Sequence, residues 1–262
     1  QTLAPNIKII TPIRDRSLTR QQEIEYLKEN DVDMSWEKSK YSINKGLWGT
    51  SVGGVETLGS KEALPETAYP SQLENKGEEK VILTFTQGEF TAFNGEENTS
   101  EINIEKLNEI ASKYAIGRDI HVGDTIVGIK GRVGFEAASA LIIIKAHHLL
   151  EKHTLTKWQL QHKEYLASFY GMHLHEGQYL DPVMRDMEAF LQSSQTNVSG
   201  DVTVTLKPYH FSLDGINSKH DLMSAKFGSY GEENKAWTAD DAKGFIKILG
   251  NQNKIYQQVN KK

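Results

Sequence analysis

The sequence contains no cysteine, which removes disulfides, thiolate metal sites and cysteine nucleophiles from consideration and fits a reducing, cytoplasmic setting. Long apolar runs are lacking too. The most apolar stretch, Ala137 to Ala146, falls far short of a membrane-spanning helix, and no signal-peptide pattern opens the chain, so no membrane partner is expected. Positive charge is scattered. Among 30 Lys and Arg residues the one adjacent pair is Lys261-Lys262, and the net charge is −5, so nucleic acid is not expected as a partner either. What remains is a chain of 262 residues with 38% hydrophobic content, enough to bury a real core in one large domain or two modest ones.

Tyr41 to Gly54, YSINKGLWGTSVGG, is the most informative stretch. It joins an aromatic anchor and two hydroxyls to turn-forming Asn44-Lys45-Gly46 and to Gly53-Gly54. That composition reads as a non-helical binding loop in which Ser42 and Ser51 offer small donors to a polar ligand; a purely structural loop is the alternative.

The chain opens at Gln1 rather than Met and runs at once into Ile7-Lys8-Ile9-Ile10, so the sequence is expected to begin part-way through a larger fold. Asn6 to Thr11 reads as a buried strand, followed by a helix from about Arg20 to Glu29 with Ser17 or Thr19 as its cap. A boundary is expected near Ser35, dividing residues 1–35 from residues 36–262. Glu56 to Gly77, with Pro65 and Pro70, reads as irregular connector. Val81 to Thr86 and Glu89 to Phe93 flank Gln87-Gly88 as a hairpin. Helices are expected at Asn103 to Tyr114, Phe135 to Leu150, Thr156 to Tyr170 and Pro182 to Ser193, with strands at Thr125 to Lys130 and around Val202 to Leu206, the latter pairing with Tyr209 to Leu213. Thr238-Ala-Asp-Asp starts a last helix with Phe245, Ile248 and Leu249 on its apolar face, read as docking on another subunit, and a polar tail follows Asn251. The pattern is α+β without internal repeats: an antiparallel sheet with packed helices and a C-terminal oligomerisation helix, preceded by a βα remnant of an α/β nucleotide-binding domain.

Two groups of residues carry candidate chemistry of their own. His173-Leu-His175-Glu176, near Asp181, would chelate a metal if it were a strand, but its surroundings are helical, where ligands prefer i,i+4 spacing. Histidines near the carbonyls at a helix end are the alternative, and no metal site is assigned. Lys130 and Arg132 leave a strand into a glycine-bearing turn before a helix, an arrangement that suits either an anion or a structural turn. With no GxxxxGK[ST] and no GxGxxG, P-loop and Rossmann readings find no support, and no serine-hydrolase motif is expected.

At these residues the sequence resembles argininosuccinate synthase. The likeness runs through nearly the whole chain in the family's order: Leu3-Ala-Pro with IKIITPIRD, LTRQQEIEYLKE, YSINKGLWGTSVGG, LNEIASKYAIGRD, IVGIKGR, AHHLLEKHTL and TADDAKGFIKI. The family's SGGLDTS-type pyrophosphate loop and its GxTGKGNDQxRF-type segment occur nowhere in these residues. The resemblance implies the end of a nucleotide-binding domain plus a synthetase domain, cytoplasmic and homotetrameric. It further implies an enzyme using ATP and Mg to adenylate citrulline and join it to aspartate, with this chain alone inactive. A non-catalytic binding or assembly module is the rival reading, and a hydrolase using His173 and His175 a distant third.

By the same resemblance, Ser42 and Ser51 contact citrulline, and the family's Lys-Ser-Arg turn is Lys130-Gly131-Arg132. Family positions that are usually acidic are Asn44, Gly53 and Gly123 here, and a tyrosine that helps hold citrulline is Phe135. Gly53, Gly123 and Phe135 lie where the family binds the amino-acid end, so a carboxylate partner for the α-ammonium is missing, and an unpaired ammonium is costly there. The expectation is an N-acylated citrulline, with Lys45 meeting an acyl carboxylate; the alternative is that Glu56 or a shifted loop restores the contact.

Overall fold

A computed structural model describes residues 2–32, 41–225 and 236–261. The expected boundary at Ser35 lies outside the described residues. At the N-terminal end, Pro12–Arg16 (α1) and Arg20–Glu29 (α2) are helices, and Thr19 caps α2 in a reciprocal box with Gln22. The strand expected at Asn6 to Thr11 is not formed. Ile7, Ile9 and Ile10 are exposed, and among the described residues the segment has no neighbouring strand to satisfy a ladder.

Two antiparallel sheets make up the α+β body. Glu79–Thr86 (β3), Glu89–Phe93 (β4) and Glu96–Glu97 (β5) join Gly200–Lys207 (β8) and His210–Asn217 (β9) in the order β5-β4-β3-β8-β9. The β3–β4 turn has left-handed Gln87 and Gly88, as the sequence anticipates. One face of this sheet supplies Val81, Leu83, Phe85, Val202, Val204 and Leu206 to the main core. Helices Ser100–Ser112 (α3) and Ala138–Thr154 (α4) close over it with Leu107, Ala111, Ile142, Ala146 and Leu150. Lys157–His175 (α5) and Pro182–Gln195 (α6) pack on each other beyond α4.

The second sheet has the order β1-β2-β7-β6, from Ser42–Gly46 (β1), Gly49–Gly53 (β2), Arg118–Asp124 (β6) and Lys130–Glu136 (β7). Two expectations are corrected here. The Tyr41 to Gly54 segment is a hairpin rather than a loop, and of the strand expected at Thr125 to Lys130, residues 125–129 are the β6–β7 turn and Lys130 begins β7. Ile126, Val127 and Ile129 mimic a strand, but left-handed Gly128 donates its N–H to Thr125 O at 2.8 Å and reverses the chain.

At the other end, Thr238 caps Ala239–Leu249 (α7) in a box with Asp241, and Asn251–Asn260 (α8) is a helix, not a polar tail. Ile255, Tyr256 and Val259 recur at helical spacing between its Asn and Gln residues. They are exposed, as are Phe245, Ile246, Ile248 and Leu249 of α7.

Candidate functional site

The register of the four-stranded sheet decides which side chains meet. Ser42 pairs with Gly53, Asn44 with Ser51, and Ser51 with Phe135; on the far side Phe135 pairs with Asp119, Val133 with His121 and Gly131 with Gly123. Paired residues share a face and alternate residues return to it. Ser42, Ser51, Gly53, Gly123 and Phe135 therefore all stand on one face, with Asn44, Asp119, His121, Gly131 and Val133. None of these ten is buried among the described residues. Asn44 Nδ2 donates to Ser51 Oγ at 3.4 Å, and the His121 ring meets Phe135 edge-on at 5.0 Å.

The opposite face is packed. Val52 joins Leu64 and Ala68 in a small core flanked by Tyr41 and Tyr69. Beside it Arg118, Glu136 and Thr50 form a row tied to the connector. Arg118 bonds Glu66 and the Ser71 carbonyl, sits 3.5 Å from Glu136 and lies over the Tyr69 ring at 4.7 Å, while Ser71 Oγ donates to Glu136 at 2.6 Å. Burial raises the Tyr69 phenol above its usual pKa, against the pull of Arg118. Tyr209, in the β8–β9 turn, donates to Glu66 at 3.3 Å, so this network also links the two sheets. Among the described residues the candidate face is thus the uncovered side of a sheet whose back is anchored.

Several sequence-derived residues fall on that back. Lys45 pairs with Thr50 and lines a cleft of about 840 Å³ with Ser71, Lys113 and Glu136, turned away from Ser42 and Ser51. Glu56 accepts from the Tyr41 hydroxyl at 3.1 Å on the packed side. Neither side chain reaches the open face as expected. Lys130 pairs with Asp124, and Arg132 donates to the carbonyls of Glu56, Gly59 and Glu62, the bonding of a structural turn. His173 and His175 belong to the last turn of α5, where Nδ1 of His173 lies 2.9 Å from the Phe169 carbonyl. Residues two apart on a helix point to different sides.

Gly49 to Gly53 does carry the Gly-x-Ser-x-Gly spacing, contrary to the expectation of no such motif. A serine nucleophile with that spacing sits on a sharp strand-to-helix turn beside a base. Ser51 instead lies in the middle of β2, with Asn44 as its side-chain partner and no base hydrogen-bonded to it among the described residues.

Asp119 and His121 are members of the face that the sequence reading missed. Their signal was present as the alternation Asp119, His121, Gly123, hidden by placing the strand at Thr125 to Lys130 instead of Arg118–Asp124.

Comparison with known proteins adds the family. The profile described as Arginosuccinate synthase C-terminal domain matches residues 41–256, which takes in both sheets and every strand of the open face. The chain belongs to the argininosuccinate synthase C-terminal domain family. It is 37% identical to the argininosuccinate synthase of Methanocaldococcus jannaschii over 262 residues, covering 99% of this chain and 66% of that protein. For the argininosuccinate synthase of Dictyoglomus turgidum the values are 36% identity, 98% of this chain and 65% of the relative. For that of Brevibacillus brevis they are 35%, 98% and 62%. The chain therefore spans just under two thirds of the argininosuccinate synthases it matches. Among the described residues no helix is long and apolar enough to cross a membrane, and no three His, Asp or Glu side chains converge as a metal site.

Proposed function

We propose that this chain is the acceptor-binding part of an ATP-dependent, AMP-forming carbon–nitrogen ligase that joins a citrulline-type ureido acceptor to aspartate, in arginine biosynthesis in the cytoplasm. The observation that carries this reading is the register: the five positions assigned to citrulline, Ser42, Ser51, Gly53, Gly123 and Phe135, come from four different stretches of sequence and share one open sheet face. The required chemistry is orientation of a ureido oxygen for adenylation, followed by displacement of AMP by an amine through the citrullyl-AMP intermediate, and a rigid face of small donors suits the positioning. Among the described residues no group of three His, Asp or Glu side chains fits Mg, and the sequence carries no GxxxxGK[ST] phosphate loop for ATP, so no step runs through those groups on this chain's residues.

The finer reading is that the acceptor is N-acylated. Gly53 and Gly123 offer no carboxylate to an α-ammonium, and Glu56 and Lys45 lie toward the packed side. Assembly into a homotetramer through α7 and α8 belongs to the same proposal. The test is pyrophosphate release by the full-length protein with ATP, aspartate and each of citrulline, N-acetylcitrulline and N-succinylcitrulline. Turnover with any acceptor supports the ligase; preference for an acylated one supports the finer reading. Silence with all three, in a protein that still binds an acceptor, would favour the binding-module alternative.

A further inference from the structure

His121 occupies the same row of the open face as Gly53 and is one row from Gly123, the two positions where the resemblance leads one to expect a carboxylate. On β6 it is two residues from Gly123, and continuing the β2–β7 register by one step brings Gly53 into line with Val133, its own partner. Its ring is braced edge-on by Phe135 at 5.0 Å and 83°. Among the described residues neither ring nitrogen has a hydrogen-bond partner, so both are available to a ligand.

The space beside it is kept clear of side chains. Gly123 and Gly131 face each other in the next row, and a Cβ built on either meets nothing within 4 Å. Neither packing nor a left-handed backbone calls for glycine at these two positions, and glycine weakens a strand interior. The acidic group on this face, Asp119, stands one row back beside Phe135, with Oδ1 accepting from the Ile120 N–H at 2.7 Å. The row of Gly53, where the resemblance places a carboxylate, ends instead in an imidazole next to the open strip of backbone at Gly123 and Gly131. The imidazole N–H offers a carboxylate a hydrogen-bond donor there, while Asp119 is held one row back by the Ile120 N–H.

We propose that His121 is a specificity-determining residue that reads the acyl end of the acceptor, and that this acyl group carries its own terminal carboxylate. The acceptor is then a citrulline N-acylated by a short dicarboxylic acid, its chain lying over Gly123 and Gly131. This inference rests on the acceptor reading given above.

The experiment compares kcat/KM for N-succinylcitrulline and N-acetylcitrulline in the full-length protein and in its His121→Ala and His121→Gln variants. In the unmodified protein the succinyl acceptor should be preferred. In His121→Ala the succinyl-to-acetyl ratio should fall about tenfold, chiefly through KM, the size of one charge-assisted hydrogen bond. His121→Gln, which keeps a donor, should recover part of it and provides the same ratio if the alanine variant does not fold. A ratio unmoved in both variants overturns the role of His121 while leaving the ligase reading intact. Preference of the unmodified protein for free citrulline overturns the acylated acceptor and His121 with it, and absence of turnover with every acceptor overturns the ligase reading itself.

Discussion

Ser51 and Phe135 are register partners across β2 and β7, so a hydroxyl and an aromatic ring separated by more than eighty residues of sequence stand side by side on one open face. If that face holds the acceptor, Ser51→Ala should raise the acceptor KM about fivefold to tenfold, the worth of roughly one hydrogen bond. Lys45→Ala, on the opposite face, should leave it unchanged. Steady-state rates with varied acceptor check this, and equal effects of the two substitutions would remove the distinction between the faces.

Much of the fold was legible because local signals agreed with it. Thr19, Thr156 and Thr238 each begin a helix with a reciprocal cap, and Gln87-Gly88 makes the hairpin turn. The four-stranded sheet was harder to read, because its strands are polar and glycine-rich and gain their partners from distant sequence. Ser42 and Ser51 could be singled out by residue type, whereas which of their neighbours share a face depends on register. Lys45 and Ser51 differ by an even number of residues along the hairpin, yet the turn between them puts them on opposite sides. Asp119 and His121 became visible only once the strand was placed correctly.

The back of the sheet depends on Arg118, whose side chain is 9% exposed beside a Glu136 side chain that is 7% exposed. Arg118→Ala would leave the Glu136 carboxylate buried without its cation and remove the tie from Glu66 and Ser71 to the sheet. A loss of about 3 kcal/mol in unfolding free energy is expected. Urea denaturation measures it, and a change under about 0.5 kcal/mol, the range of ordinary surface substitutions, would contradict the network's structural role.

Acid sensitivity should trace in part to His147. Burial holds its pKa below the ordinary 6.5, helped by Lys163 and His148 and opposed by Glu151. The unfolded chain therefore takes up the proton first as pH falls. Stability present above about pH 6.5 is lost as the pH drops from there through the lower folded-state value. His147→Gln should narrow the difference between urea midpoints at about pH 7.5 and pH 5.5. An identical drop in the variant and the unmodified protein would assign the acid sensitivity elsewhere.

Phe245 and Ile248 stand 65% and 72% exposed on α7, an apolar stripe that costs free energy in water unless another surface covers it. Phe245→Asp should lower the solution mass of the full-length protein by breaking subunit contacts, measured by light scattering coupled to size exclusion. An unchanged mass would separate α7 from assembly.

Gly123 offers the most direct test of the proposed acylated acceptor. A Cβ there meets nothing within 4 Å, in contrast to Gly117, where left-handed φ and a contact of 2.5 Å with the Ala137 backbone exclude any side chain. Gly123→Glu can therefore be made without disturbing the sheet, and it places a carboxylate on the open face two residues from His121. A negative charge there attracts an α-ammonium and repels an acyl carboxylate, so the ratio of kcat/KM for citrulline to that for N-succinylcitrulline should rise at least about tenfold, equivalent to about 1.4 kcal/mol. The thermal midpoint should stay close to that of the unmodified protein. A stable variant whose acceptor preference does not move would mean that the empty row at Gly123 has no part in selecting the substrate.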